Sequence, residues 1–145
     1  MTKDKHFTAL ENMYLAAPIN KIYKPRIVVG EGCSDIEIDI SETFYHAAGA
    51  VHGSVYFKML DDAAFFAANS IEKEVFVLTT SFTIYLTKPV TFGIIKAVGK
   101  VVNRTKSQFI SESIAYNSDN TEIARGSGVF VRGKFKLSEA LGYRA

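Results

Sequence analysis

Ile36, Ile38 and Ile40 alternate with Asp35, Glu37 and Asp39 after the turn Gly30-Glu31-Gly32, the period-2 pattern of a strand with one wet face. An irregular stretch with Gly49 follows from Ser41 to Val51, and then the pattern changes. Between Ser54 and about Ser70, Val55, Tyr56, Phe57, Met59, Leu60, Ala63, Ala64, Phe65, Phe66, Ala67 and Ala68 occupy every side of a helical wheel. A helix that is apolar all round is a buried helix. Four β-rich runs come next: Val75 to Leu86, Gly93 to Val102, Gln108 to Tyr116 and Glu122 to Val131. Lys88-Pro89, Asn103-Arg104-Thr105-Lys106 and the hairpin-like Asn117-Ser118-Asp119-Asn120 separate them. Upstream, Phe7, Leu10, Met13 and Tyr14 fall at helical spacing between His6 and Ala17, and Pro18 supplies a stop. This predicts a short amphipathic helix lying at the periphery.

Short connections favour antiparallel neighbours, so the pattern predicts an α+β fold of about five antiparallel strands and one long central helix. A sheet curled around a buried helix, the hotdog architecture, satisfies both periodicities. The length of 145 residues suits one domain, and 48% hydrophobic residues suffice for a core. Within residues 1–145 we expect an N-terminal helix and lead-in over 1–29, a core over 30–131 and a C-terminal tail over 132–145.

Charge and cysteine content narrow the function classes. The formal charge of +2 is too balanced for a polyanion-binding surface, so nucleic acid is not an expected partner. The single Cys33 excludes an intrachain disulfide framework and offers no metal-ligand cluster. The opening Met-Thr-Lys-Asp-Lys-His lacks the apolar core of a signal peptide, and Val55 to Ala68, broken by Lys58, Asp61 and Asp62, is too short to span a bilayer. The expectation is a cytoplasmic protein with no membrane partner.

The candidate chemistry sits at the start of the central helix, in His52-Gly53-Ser54. Gly53 lets a ligand approach its backbone, and the unpaired N–H groups of a first helical turn concentrate positive potential, the ingredients of an oxyanion hole. The plain alternative is that Gly53 permits a tight helix start while His52 is a satisfied core histidine and Ser54 a helix cap. Asp61 lies nine residues after His52, flanked by Leu60, Ala64 and Phe65, where a carboxylate costs free energy unless it has partners or a task. Asp61 and Asp62 point about 100° apart on a helix, so one of them faces a less solvated side. One reaching solvent while the other pairs with a lysine is the structural alternative.

Gly53 and Asp61 are about 12 Å apart along a helix that rises ~1.5 Å per residue. A carbonyl held by one and a water held by the other must come within ~3 to 3.5 Å to react. One copy of the helix does not accommodate both, so a catalytic reading implies a homodimer in which Gly53 of one chain meets Asp61 of the other. Ala63, Ala64, Ala67 and Ala68 would let helices approach closely, although small residues equally suit packing against the sheet.

These residues resemble the hotdog-fold acyl-CoA thioesterases of the phenylacetic-acid-pathway type. The family signature Asn-x-x-Gly-x-x-His-Gly-Gly, followed by Asp-x-Ala nine residues after the histidine, corresponds to His46-Ala47-Ala48-Gly49-Ala50-Val51-His52-Gly53-Ser54 and Asp61-Asp62-Ala63. The similarity extends to Thr83-Ile84-Tyr85-Leu86-Thr87-Lys88-Pro89 with Gly93, and to Ile123-Ala124-Arg125-Gly126-Ser127-Gly128-Val129-Phe130. It implies hydrolysis of an acyl-CoA thioester carrying a small aromatic or medium-length acyl group. The Gly53 amide would polarise the carbonyl and Asp61 of the partner subunit would act as general base or nucleophile. Thr79, ten positions before Pro89, stands where relatives carry a hydroxyl that orients water. His46 replaces the family's asparagine, whose amide donates to the carbonyl, and an imidazole can also donate. Ser54 replaces its second glycine.

The resemblance implies no cofactor, coenzyme A being part of the substrate, and no metal. It also implies self-association as a dimer or a dimer of dimers. Phe57, Phe65, Phe66, Phe82 and Phe92 offer aromatic surface for an acyl group. Lys88, Arg104, Lys106 or Arg125 could meet the phosphates of coenzyme A, and a solvated face explains the same charges. Of these, Phe57, Phe82, Arg104, Lys106 and Ser54 are the substrate-binding candidates. Two other readings stay open: a non-catalytic acyl-CoA-binding or regulatory protein, motivated by His46 and Ser54, and a hydratase or dehydratase using His52 and Asp61. The sequence lacks the His-x-x-x-x-Pro-Gly pattern expected of the last.

Overall fold

A computed structural model describes residues 2–145. Asp4 caps helix α1 (Lys5–Ala16) by accepting the His6 N–H, and the helix stops before Pro18. A short helix α2 (Asn20–Tyr23) follows, closed by Lys24 in a left-handed conformation at φ 49°. Strands β1 (Arg26–Gly30) and β2 (Cys33–Asp39) form a hairpin, and helix α3 (Gly53–Ile71) separates them from β3 (Val75–Leu86), β4 (Ile94–Arg104), β5 (Gln108–Tyr116) and β6 (Glu122–Lys136). All six pair antiparallel in one sheet of order β1-β2-β4-β5-β6-β3, and α3 packs against every strand. This is the expected helix wrapped in a curled sheet.

The sheet has six strands rather than about five. The additional strand, β1, falls largely inside the 1–29 stretch expected to be helix and lead-in. It is short, lies at a sheet edge and exposes Val28, so it carries no clean alternation to read. The ends of the chain also differ from expectation. Helix α1 is not peripheral: Leu10, Met13 and Tyr14 are buried in the main core, with Tyr14 edge-on to Phe66 at 4.9 Å. The region 132–145 is not a loose tail, because β6 runs to Lys136 and Leu137 is buried. Both ends meet over α1, where His6 Nε2–H donates to the Asn69 carbonyl at 2.8 Å and its Nδ1 lies 2.6 Å from the Tyr143 hydroxyl. Asn12 Nδ2 donates to the Arg144 carbonyl at 2.6 Å.

A transverse row of small residues seats α3. The register aligns Ser34, Gly99, Ser113 and Gly126 on β2, β4, β5 and β6. Ser34 Oγ donates to the Ala63 carbonyl at 2.7 Å and Ser113 Oγ to the Leu60 carbonyl at 2.8 Å. Between them Gly99 comes so close that a Cβ there would stand 2.2 Å from the Ala63 oxygen. Ala63, Ala64, Ala67 and Ala68 are fully buried on this side, so the small residues serve helix-to-sheet packing. Among the described residues no helix is long and apolar enough to cross a membrane.

Helix backbone cannot yield as a side chain tip can, so Gly99→Ala forces α3 off the sheet. We expect it to cost about 1–3 kcal/mol or more, measured as a lower urea midpoint at unchanged slope.

Candidate active site

The Leu60 and Ala63 carbonyls, held by the sheet, fix the rotation of α3 and turn the intervening Asp61 and Asp62 away from Ser34 and Ser113. Asp61 reaches a cavity of about 350 Å³ lined by Met13, Ala17, Phe65, Phe66, Phe76 and Leu78 among others. Its Oδ1 accepts the Thr79 hydroxyl at 2.9 Å, joining α3 to β3. Burial in this apolar setting is the main cause that raises the Asp61 carboxyl from 3.8 to about 6. The Thr79 hydrogen bond opposes the rise, the negative Asp62 adds to it, and Lys58 opposes it.

Asp62 fills the structural role foreseen for one of the pair. It accepts from Lys58 Nζ, one helical turn earlier, at 2.5 Å and from the Tyr14 hydroxyl at 2.6 Å. Burial, and then the Asp62 charge, push the Tyr14 hydroxyl far above its ordinary range, so it stays a proton donor. Tyr14, Asn20 and Lys58 all line the Asp61 cavity. The sequence assigns Tyr14, Asn20 and Lys58 no part in the site, because two of them come from helices distant in sequence. Only the Lys58-to-Asp62 spacing was visible.

Gly53 opens a second cavity of about 370 Å³ that it shares with His46, Tyr56, Leu86, Lys88 and Pro89. The two linings have no residue in common. His52 caps α3: its Nδ1 accepts the Ser54 N–H at 3.0 Å, and its carbonyl accepts the Val55 N–H at 3.0 Å. The cap is thus His52 rather than Ser54, and His52 is exposed rather than a core histidine. Among the described residues no acceptor faces the Gly53 N–H. A Cβ at Gly53 would stand 3.1 Å from Leu86 Cδ1, so glycine keeps this amide approachable. His46 Nδ1 accepts the Ala48 N–H at 3.0 Å, which places the ring proton of a neutral imidazole on Nε2.

The remaining candidates divide. Ser54 bonds through its hydroxyl to His52 Nδ1 at 2.8 Å and, like His52, lines neither cavity. Phe57 and Phe82 pack edge to face at 5.7 Å, and Phe82 also lies over Gly126 and Gly128, but neither lines a cavity with Asp61 or Gly53. Phe65 and Phe66, joined by Phe76, supply the aromatic wall near Asp61 instead. Arg104 and Lys106 lie at the β4–β5 connection and line neither cavity, and Arg125 pairs with Glu122 at 2.6 Å. Lys88 is the basic candidate beside Gly53. No group of three or more metal-ligating side chains occurs among the described residues.

Comparison with solved structures establishes the fold. The PaaI protein of Escherichia coli, from the phenylacetic acid degradation operon, superposes with a TM-score of 0.81 at 20% identity, covering 92% of this chain and 99% of that one. A thioesterase family protein from Silicibacter pomeroyi gives 0.76 at 21% identity, covering 86% and 99%. A conserved protein from Pseudomonas aeruginosa gives 0.75 at 18% identity, covering 81% and 94%. Among curated protein sequences none matches this chain. The family model of the thioesterase superfamily matches residues 48–124, a span that contains Gly53, Asp61 and Thr79 and more than half of the sequence, and the chain belongs to that superfamily.

Proposed function

We propose that the protein hydrolyses the thioester of an acyl-coenzyme A whose acyl group is small and aromatic or of medium length. The observation that carries this reading is Asp61, a partly buried carboxylate held by Thr79 at the wall of an aromatic-lined cavity. Its raised proton affinity suits a general base working near neutral pH. The Gly53 N–H, supported by His46 Nε2–H, donates to the thioester oxygen, where negative charge accumulates as the carbonyl is attacked. Asp61 takes the proton of a water held with Thr79 as the new C–O bond forms. The C–S bond then breaks and coenzyme A leaves as the thiolate, to be reprotonated. The same carboxylate can alternatively attack as nucleophile, giving an acyl-enzyme anhydride that water opens.

The Gly53 and Asp61 cavities of one chain are separate, so the working site combines Gly53 of one copy with Asp61 of a second. Strand β3 suits that association. It is a sheet edge paired only with β6, and Leu78 to Ser81 are exposed along it. An unpaired edge of this length is a template for a second β3 running antiparallel.

Asp61→Asn is expected to lower kcat by about 10² to 10⁴, measured as thiol release from a panel of acyl-coenzyme A esters; unchanged turnover would remove Asp61 from the mechanism. In the parent protein kcat/KM should fall with acidity below pH about 6 as Asp61 takes up a proton. Mixing Asp61→Asn with Gly53→Val chains tests the shared site. Random mixed dimers should recover about a quarter of the parent activity, since half the dimers are mixed and each holds one intact site of two. No recovery would place both groups in one chain.

The folded-state affinity of Asp61 for its proton exceeds that of the unfolded chain. Its contribution to stability is therefore fully present below pH 3.8 and is lost as pH rises through about 6. Asp61→Asn, which never ionises, should melt at a higher temperature than the parent in mildly alkaline buffer, with the gap closing in acid.

A further inference from the structure

Lys58 is a cation whose side chain is only 12% exposed, an unusual place for lysine. Its three N–H donors meet three acceptors: Asp62 Oδ2, Asn20 Oδ1 at 2.9 Å and the Tyr14 hydroxyl at 3.3 Å. The ammonium also lies 5.0 Å from the centroid of Tyr14 and 4.8 Å from that of Tyr23. Asn20 is itself oriented, since its amide donates to the Tyr14 carbonyl at 2.7 Å. One side chain of α3 thus ties down α1 and α2, the two helices that line the Asp61 cavity together with α3 and β3.

We propose that Lys58 is a positioning residue for Asp61: by binding Asp62 and drawing Tyr14 and Asn20 onto it, Lys58 cancels the neighbouring negative charge and fixes the cavity wall. Asp61 and Asp62 are consecutive, and two carboxylates in a half-dry pocket resist ionising together. The proton would then sit on Asp61, which has only the Thr79 hydroxyl to support its charge. Lys58 gives Asp62 a permanent partner and leaves Asp61 to exchange its proton with water. The titratable and charged groups around Asp61 are Lys58 and Asp62 on α3, Tyr14 on α1 and, behind Lys58, Tyr23 on α2; β3 contributes Thr79, which does not titrate. This role rests on Asp61 being the base of the proposed hydrolysis, while its charge effect on Asp61 exists without substrate.

Carbon-detected NMR of the full ligand-free chain can follow the Asp61 carboxyl between about pH 4 and 9, with the resonance identified by its loss in Asp61→Asn. Lys58→Met should raise the Asp61 midpoint by about one pH unit, and Asp62→Asn should lower it. The double variant, lacking both charges, should return close to the parent. The acid limb of kcat/KM should move with the NMR midpoint in each case, which a merely structural lysine would not cause. Midpoints that move in the same direction, or that do not move, overturn the proposal. Where Lys58→Met fails to fold, Asp62→Asn and the double variant decide: a drop in the first and a return in the second support the role, and any other pattern refutes it. Undiminished turnover in Asp61→Asn sinks the hydrolytic reading alone and leaves these midpoints as they are.

Discussion

The setting of the candidate carboxylates hangs on the direct seating of the Leu60–Ala63 turn of α3 on the row Ser34, Gly99 and Ser113. Helices usually meet sheets through side chains and keep their rotational setting by the average of many soft contacts. Here two carbonyls of one turn accept hydroxyls from two strands, and a glycine removes the atoms that would otherwise hold the helix away. The axial rotation of α3 is therefore fixed at the turn that bears Asp61 and Asp62. One turn decides which carboxylate faces Thr79 and which faces Lys58.

The electrostatics follow from that placement. Both acidic residues lie in partly dry surroundings, yet their partners differ in kind. Asp62 receives a cation and a hydroxyl, whereas Asp61 receives one neutral hydroxyl. A fully paired carboxylate is stable and chemically idle, and a half-paired one is less stable and ready to accept a proton. The asymmetry between two identical neighbouring residues separates a structural group from a candidate reactive one.

The sequence carried the architecture well where one periodicity dominated. The alternating isoleucines of β2, the all-round apolar α3 and the turns around Pro89 and Asn117 read directly, because each pattern has one structural solution. Strand β1 was illegible because an edge strand of five residues leaves half its side chains in solvent. Helix α1 read as peripheral since its moderate apolar face says nothing about what covers it. Of the candidate site, Gly53 and Asp61 stood out by position and Thr79 only through the family resemblance, and the mismatch between helical rise and reaction distance argued that Gly53 and Asp61 of one chain act apart. His52 and Ser54 looked chemical and are engaged in capping, a local hydrogen bond invisible to composition. The Tyr14, Asn20 and Lys58 network was beyond reach, since its members meet only after α1 and α2 fold across α3.

The hydrogen bonds of Tyr143 and Arg144 to α1 have a consequence for synthesis. Tyr143 and Arg144 grip His6 and Asn12, so α1 cannot complete its docking until nearly the whole described chain has left the ribosome. The small-residue seat of α3 is ready only a little earlier, when β4, β5 and β6 have all emerged. A nascent chain therefore leaves part of the apolar face of α3 uncovered until those three strands have followed it out.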